Sequence, residues 1–407
     1  MSLFGNSTPR SPLSAMIRQG RYRERRLNEV PLLLGLRFAS AEEHSMSCQL
    51  EDFFAKDVPD FTQTLQSLSQ RIDPQATPQF DGYYEEFLKA VDRCLASCKQ
   101  MDALLSEDAR QLAAARHRFQ EAIRPWFDQS AFMRHALAKP RGYAGDYEML
   151  IAIYEGQPRS RGLGGYLDLY FLNTELGRAV PARLRGVKHF LMTEAARRGG
   201  AISVLDIACG PAREFHEGFE LPADCRMTVT CLDHDDAALD YVRTQVAPRA
   251  PHNLALEFVK HNALKMMSGS ANRRVFGEPD IIYSVGLCDY IPDQIMIRLL
   301  RGWHETVAPG GVIYVAFKDC LRYNSAPYQW LVDWHFFQRT ESDCLRLFAQ
   351  AGYNIDDMEM VRDDDLGTIM NFISRAPAAP QHRLDRAAEV AAPRSQSASD
   401  PVEFAAS

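Results

Sequence analysis

The sequence predicts an α/β fold: a mostly parallel sheet whose last strand is antiparallel, preceded by an N-terminal helical region. Three observations predict it. From Ala201 onward, short apolar runs (ISVLDIA, MTVTCLDHD, LALEFVKHNA, DIIYSVGL and GVIYVAF) alternate with helical patterns. Their Val, Ile and Leu show no polar alternation, as strands buried on both faces of a parallel sheet require. DDMEMVRDDDLGTIMNFISR then reads as two strands, 357–362 and 368–375, joined by a short polar turn with Gly367, and such a hairpin is antiparallel. Before Ala201, Phe87, Val91, Leu95, Met101, Leu104 and Leu105 recur at the three- and four-residue spacing of an amphipathic helix.

The 407 residues divide into five stretches. Residues 1–20, rich in Ser and Pro, read as a disordered tail. Residues 21–79 open on the basic cluster Arg21, Arg23, Arg25 and Arg26. They continue into a β-like patch, Val30 to Phe54, read as a small strand pair from PLLLGLRF and SCQLEDFF. Residues 80–200 read as helical. One helix starts at Asp81, and a second starts near Glu107 and is stopped by Pro125. After the segment KPRGYAGDYEML (139–150) a helix runs to about Tyr154, and a long helical stretch ends on Gly199 and Gly200. Residues 201–375 carry the sheet. Residues 376–407, rich in Ala, Pro, Ser and Gln, read as a second disordered tail.

Lys and Arg number 46 and Asp and Glu 53, a net charge of −7. This balance gives no electrostatic reason to expect a nucleic-acid partner. No run approaches the ~20 apolar residues that span a bilayer, and the first 20 residues lack a signal-peptide core, so a cytoplasmic protein is expected. The nine cysteines include no C-x-x-C pair and read as reduced, buried thiols, not as metal ligands or a disulfide frame.

The first strand of the sheet ends in VLDIACGPARE, 204–214. A strand, a small-residue turn and a helix start make a cofactor cradle: Gly210 lets the backbone approach a ligand, and the helix N-terminus offers unpaired N–H groups. A dinucleotide needs G-x-G-x-x-G. The registers from Ala208 and from Gly210 both lack the third glycine, which argues against NAD. S-adenosyl-L-methionine (SAM) sites take D/E-x-G-x-G-x-G. Asp206, Ala208, Gly210 and Ala212 match with Ala at two glycine positions, and Pro211, Arg213 and Glu214 complete the candidate turn. Asp233 closes the second strand, where an acid accepts the hydrogens of both ribose hydroxyls, and His234 follows it. Asn262 and small Ala263 end the third strand, placed to read an adenine edge; Gly286 and Leu287 end the fourth, under the methionine part. All lie at the carboxyl ends of successive strands, where open α/β sheets bind ligands. The expected cofactor is therefore SAM.

With these residues in hand, Asp206 to Arg375 resembles a class I SAM-dependent methyltransferase, whose Rossmann-like sheet ends in the same antiparallel hairpin. Three longer stretches, KPRGYAGDYEML (139–150), YSVGLCDYIPDQ (283–294) and DWHFFQRTESDCLRLF (333–348), resemble bacterial enzymes of 3-hydroxypalmitic acid methyl ester biosynthesis, which make a fatty-acid-derived quorum signal. The likeness spans about Phe80 to Arg375. Cys288 stands where an aromatic residue is expected, and AFKDCLRYNSAPYQ replaces a G-N-F/H-x-x-N-P run, both near the expected acceptor pocket. The resemblance implies methylation of the carboxylate of a 3-hydroxy fatty acid or a related lipophilic carboxylic acid.

Lys318 to Arg339 is an insertion holding Tyr323, Tyr328, Trp330, Trp334, His335, Phe336 and Phe337. It reads as a wall of an apolar acceptor pocket or as glue between helices and sheet. Thr340 with Asp343 reads as a helix cap. The stretch RGYAGDY reads as a lid over SAM, with Arg141, Tyr143 and Asp146 as candidate contacts, or as a linker whose Arg–Asp pair holds a junction. A carboxylate acceptor is ionised at neutral pH and needs only positioning, by Arg141, Tyr290 or His335. A hydroxyl or amine acceptor needs a base, for which His335 and Asp289 are candidates, and would make the chain an O- or N-methyltransferase of an aromatic or amino small molecule. A third reading is a non-catalytic regulator that binds SAM or a cyclic dinucleotide. Arg21 and Arg25 are similar to the Arg-x-x-x-Arg element of PilZ domains, without that family's Asp/Asn-x-Ser-x-x-Gly turn. The helices before the sheet either cover the acceptor or mediate a homodimer.

Overall fold

Short runs of Val, Ile and Leu that no polar residue interrupts become the centre of the sheet, and β4 (Ile281–Ser284) and β5 (Val312–Lys318) are buried along their whole length. The computed structural model describes residues 41–378 apart from 217 and 363–365. The other strands are β1 (Gly200–Ile207), β2 (Cys225–Asp233), β3 (Leu254–Lys260), β6 (Glu359–Arg362) and β7 (Ile369–Arg375). Together they form a seven-stranded sheet in the order β3-β2-β1-β4-β5-β7-β6. β1 to β5 are parallel to one another, and β7 runs antiparallel to both β5 and β6. The chain moves outward from β1 to β3, then returns to β4 on the other side of β1. That reversal is the topological switch point where such sheets bind ligands.

The N-terminal region is helical: α1 (Ala41–Asp52), α2 (Val58–Arg71), α3 (Gly82–Leu104), α4 (Ala109–Phe127), α5 (Ala131–Ala138), α6 (Tyr147–Glu155), α7 (Gly162–Asn173) and α8 (Glu175–Arg198). Side-chain caps start five of them. Asp81, Asp108, Ser130, Asp146 and Thr174 accept backbone N–H groups of α3, α4, α5, α6 and α8, groups that the helix itself leaves unpaired. Gly199 and Gly200 end α8 with φ of 62° and 63°, a conformation glycine adopts without steric cost.

Three sequence expectations change here. SCQLEDFF is helical, not a strand: Met46, Leu50, Phe53 and Phe54 fall at helical spacing and pack on the helical core, and a π-helical turn, Phe53–Asp57, joins α1 to α2. Pro125 does not stop α4, which runs to Phe127. A proline this close to the C-terminus removes one hydrogen bond, and the fully buried Phe127 anchors the turn. The cradle after β1 leads into a single 3-10 turn, Arg213–Phe215, in place of the expected helix. The space a crossover helix would fill is taken by α8, whose Val187, Phe190, Leu191 and Ala195 share a core with Phe215, Phe219 and the β1 and β2 side chains. PLLLGLRF, the Arg21–Arg26 cluster and residues 379–407 lie outside the described residues.

The second face of the sheet is covered by α11 (Asp293–Thr306) and α12 (Glu341–Ala351), with α9 (Asp236–Tyr241) and α10 (Gly269–Phe276) completing the connections. Thr340 and Asp343 form the expected capping box of α12. The aromatic insertion joins the core of the helical region, where Trp330 is buried against Phe53 and Phe119. No helix among the described residues is long and apolar enough to cross a membrane.

Candidate active site

The turn after β1 stores backbone strain. Ala208, Gly210 and Ala212 have φ of 60°, 53° and 44°, and non-glycine residues held there mark functional turns when their surroundings fix them. Asp233 does much of the fixing. Its Oδ2 accepts the Gly210 N–H at 2.9 Å, its Oδ1 accepts the Asp235 N–H at 3.0 Å, and it is 3% exposed. Cys209 N–H donates to the Leu232 carbonyl at 3.0 Å, so the turn is clipped to the end of β2 twice.

This turn borders a cleft of about 120 Å³ at the carboxyl ends of β1 to β4. Ala208, Gly210, Asp233, His234, Asn262, Ala263, Gly286 and Leu287 line it on the sheet side, and Arg141, Tyr143 and Tyr290 also face it. Asn262 accepts the Leu264 N–H at 2.9 Å, which fixes its amide at the rim. Hydrogen bonding to Asp233 raises the pKa of His234, whose ring lies 6.0 Å from that of Tyr143. Arg141 reaches Glu148 at 3.0 Å and Asp235 at 3.6 Å, so segment 139–146 is tied across the cleft by Arg141 to Asp235, not by an Arg141–Asp146 pair. Sequence reasoning missed Leu150, His261 and Leu264 in this lining; His261 and Leu264 flank Asn262, which was the available signal.

Five of the cofactor-binding candidates lie elsewhere. Asp206 is 1% exposed beneath the turn, and burial, then the charge of Glu214, push its carboxyl well above the usual range. Glu214 is buried and accepts the Tyr283 hydroxyl at 2.6 Å. Arg213 points to the Tyr241 hydroxyl at 3.3 Å, and Pro211 is not part of the lining. Asp146 is fully buried, capping α6 at Met149 and binding His135 at 2.9 Å.

Behind Gly145, Leu150, Gly286 and Tyr290 the cleft adjoins a second chamber, a narrow one of about 40 Å³. Ile153, Phe171, Leu176, Val180, Tyr328, Trp334 and Phe336 give it an apolar wall, into which Arg183 and Lys318 project. The insertion thus packs on the helices through Trp330 and lines the chamber with Tyr328, Trp334 and Phe336. A Cβ on Gly145 would sit 2.6 Å from the Trp334 ring and 2.7 Å from the Tyr290 hydroxyl. Only glycine allows this approach, which the Trp334 indole N–H completes by donating to Tyr290 at 2.8 Å.

Among the described lining residues of the chamber there is no Asp, Glu or His. Asp289 lies outside it, buried in an ion pair with Lys318 at 2.5 Å and accepting the Lys318 N–H at 3.0 Å. His335 lies in an outer cavity with Lys139, Tyr143 and Phe337, which adjoins the chamber across Tyr290, Trp334 and Phe336. It is 47% exposed at its side chain and binds Asp333 at 2.9 Å. Asp333 also meets Lys139 at 2.5 Å, and these bonds, against the effect of burial, hold its carboxyl down at about 2. Cys288 is fully buried in the core on the far face of the sheet, away from the chamber.

A family model described as "Putative methyltransferase" matches residues 85–365. No curated protein sequence matches. Solved structures similar to the chain include a possible exported protein from Bordetella parapertussis, 18% identical over 83% of this chain and 99% of that one, TM-score 0.47. The CurJ carbon methyltransferase is 11% identical over 83% and 94%, TM-score 0.41. The SAM-dependent methyltransferase SibL is 17% identical over 82% and 96%, TM-score 0.39.

Proposed function

The chain belongs to this methyltransferase family and is a SAM-dependent methyltransferase; from that premise we propose that it O-methylates the carboxylate of a 3-hydroxy fatty acid or a related lipophilic carboxylic acid. The observation that carries the reading is the adjacency of a cleft at the strand ends and a second pocket walled by Phe171, Leu176, Val180 and Phe336, which meet across Gly145, Leu150, Gly286 and Tyr290.

The cleft fits SAM. Asp233 retains lone-pair capacity on Oδ2 after accepting the Gly210 N–H, and would take the ribose hydroxyls. Asn262 and Ala263 would meet the adenine edge, Gly286 and Leu287 the methionine part, and Tyr143 and Arg141 would close over them. When bound, SAM supplies a sulfonium methyl group: a bond forms between an acceptor oxygen and that carbon, the carbon–sulfur bond breaks with its electron pair left on sulfur, and a carboxylate acceptor releases no proton.

The chamber favours an acid over a phenol or an amine. A carboxylate with a reference pKa near ~4 is already ionised, whereas the other acceptors need a base within hydrogen-bond reach. The lining contains no acid or imidazole to serve as one. The protein's own contribution is then positioning and exclusion of water, which can contribute on the order of 7–11 kcal/mol to lowering a barrier. Tyr290 stands between chamber and cleft, held by the Trp334 indole N–H, and the apolar side chains would accept the tail.

The test is purified protein with methyl-labelled SAM and a panel of 3-hydroxy acids of increasing chain length. Labelled methyl ester is expected. Absence of ester at every chain length, with SAM still bound, would overturn the substrate assignment.

A further inference from the structure

Arg183 is a buried side chain whose described surroundings do not account for its charge. It occupies α8 in the row Leu176, Val180, Arg183, Val187, Leu191, whose other members are all buried apolar residues. At that spacing the position belongs to the apolar face of an amphipathic helix. Arginine is almost never fully buried unless paired, because an isolated charge loses its hydration. Yet Arg183 is 4% exposed, and among the described residues it forms no ion pair and its Nε has no hydrogen-bond partner.

Its neighbours do not neutralise it. The Tyr154 hydroxyl lies beside it as a neutral group. Glu214 acts on it at a distance, but that carboxyl is occupied by the Tyr283 hydroxyl at 2.6 Å, and burial raises its pKa. Lys318, the other cation of the chamber, has Asp289 at 2.5 Å as its own counter-ion. Arg183 therefore leaves net positive charge in an otherwise apolar enclosure. It also stands at the junction with the cleft: a Cβ on Gly286 would lie 3.6 Å from Arg183 Nη2, and Gly286 lines both spaces.

We propose that Arg183 is the anion anchor of the chamber. It binds the carboxylate of a long-chain acid at the Gly286 junction and leaves the alkyl tail among Phe171, Leu176 and Val180. A planar guanidinium suits this role, since it pairs with a carboxylate in two parallel hydrogen bonds. The inference deepens the acid-methylating reading and rests on it for the reaction, but the binding it describes is measurable without turnover. It replaces Arg141 and His335 as the carboxylate-positioning group, because Arg141 is already paired with Glu148 and Asp235 in the cleft and His335 lies in the outer cavity.

The experiment compares the full chain with Arg183→Met and Arg183→Lys, using dodecanoate and its neutral isostere dodecan-1-ol as probes in titration calorimetry, with SAM affinity as the control for a folded cleft. The wild type should bind dodecanoate more tightly than dodecanol. Arg183→Met should weaken dodecanoate by about 10–100-fold, the worth of a charge-assisted hydrogen bond, leave dodecanol and SAM within about twofold, and Arg183→Lys should recover part of the loss. Equal binding of dodecanoate to wild type and Arg183→Met, or a parallel loss of dodecanol, would overturn the anchor. If the wild type binds dodecanoate through Arg183 yet esterifies no acid, the anchor stands and the proposed reaction falls.

Discussion

The cleft proposed to hold SAM and the chamber proposed to hold the acceptor share four residues but are made of different material. On its sheet side the cleft is shaped by backbone at strand ends: the strained turn 208–212, Gly286 and the clips from Asp233 and Leu232. The chamber is made by side chains from α6, α7, α8, β5 and the insertion 318–339. A backbone-built site is general, because any chain with these strand ends can present it. A side-chain-built site can be respecified residue by residue, and the chemistry of the acceptor is decided there.

Asp233→Ala gives the largest expected effect. It removes the acceptor for two backbone N–H groups that shape the cradle, each charge-assisted bond being worth about 1.5–3 kcal/mol. SAM affinity measured by calorimetry should fall at least about 100-fold; an unchanged affinity would show that the cleft does not depend on this clip. Glu194→Gln lies outside both spaces and should affect stability alone. Glu194 is 2% exposed and binds Arg375 at 2.6 Å and Arg197 at 2.7 Å, tying β7 to α8. Breaking such a hub costs about 3 kcal/mol, read from the unfolding midpoint in urea, with SAM affinity retained. Burial alone would raise this carboxyl, but its arginine partners outweigh that and hold it at about 2 against an ordinary 4.5. A lowered carboxyl contributes stability above its unfolded pKa and loses it as pH falls toward the folded value. The gap between wild type and Glu194→Gln should therefore be full at pH 7 and shrink between pH ~4.5 and ~2.

Gly145→Ala acts on the shared wall. The new methyl collides with Trp334 and Tyr290, and a displacement of about 1 Å can cost roughly 100-fold in turnover. kcat/KM should fall by that order while thermal stability changes little. His335→Ala should have the smallest effect, less than about fivefold in turnover, as for other exposed ion pairs, with the pH dependence of the rate unchanged. A steep loss below pH 7 that the variant abolishes would instead place a base at His335 and favour a hydroxyl or amine acceptor.

The same difference in material decides what the sequence could reveal. Uninterrupted Val, Ile and Leu runs announce buried strands, so the sheet and its terminal hairpin were legible. Asp233, Asn262 and Gly286 were legible because each directly follows such a run. The chamber was not, since Phe171, Arg183, Lys318 and Trp334 meet only after the chain folds, and no local period links them. Arg183 left one readable trace, a cation on the apolar face of α8. SCQLEDFF was misread because a short apolar run fits a strand or a helix equally well without its partner surface. The missing crossover helix after the cradle depended on α8, a segment earlier in the chain, already occupying that side of the sheet.

The most direct test of the two-compartment account is a crystal structure of the chain with S-adenosylhomocysteine and a long-chain 3-hydroxy acid. The account predicts the nucleoside against Asp233 and Asn262, the carboxylate within hydrogen-bond distance of Arg183 beside Gly286, and the tail inside the chamber. An acid bound in the outer cavity beside His335 and Phe337, with the chamber closed and Arg183 turned to a protein carboxylate, would contradict it.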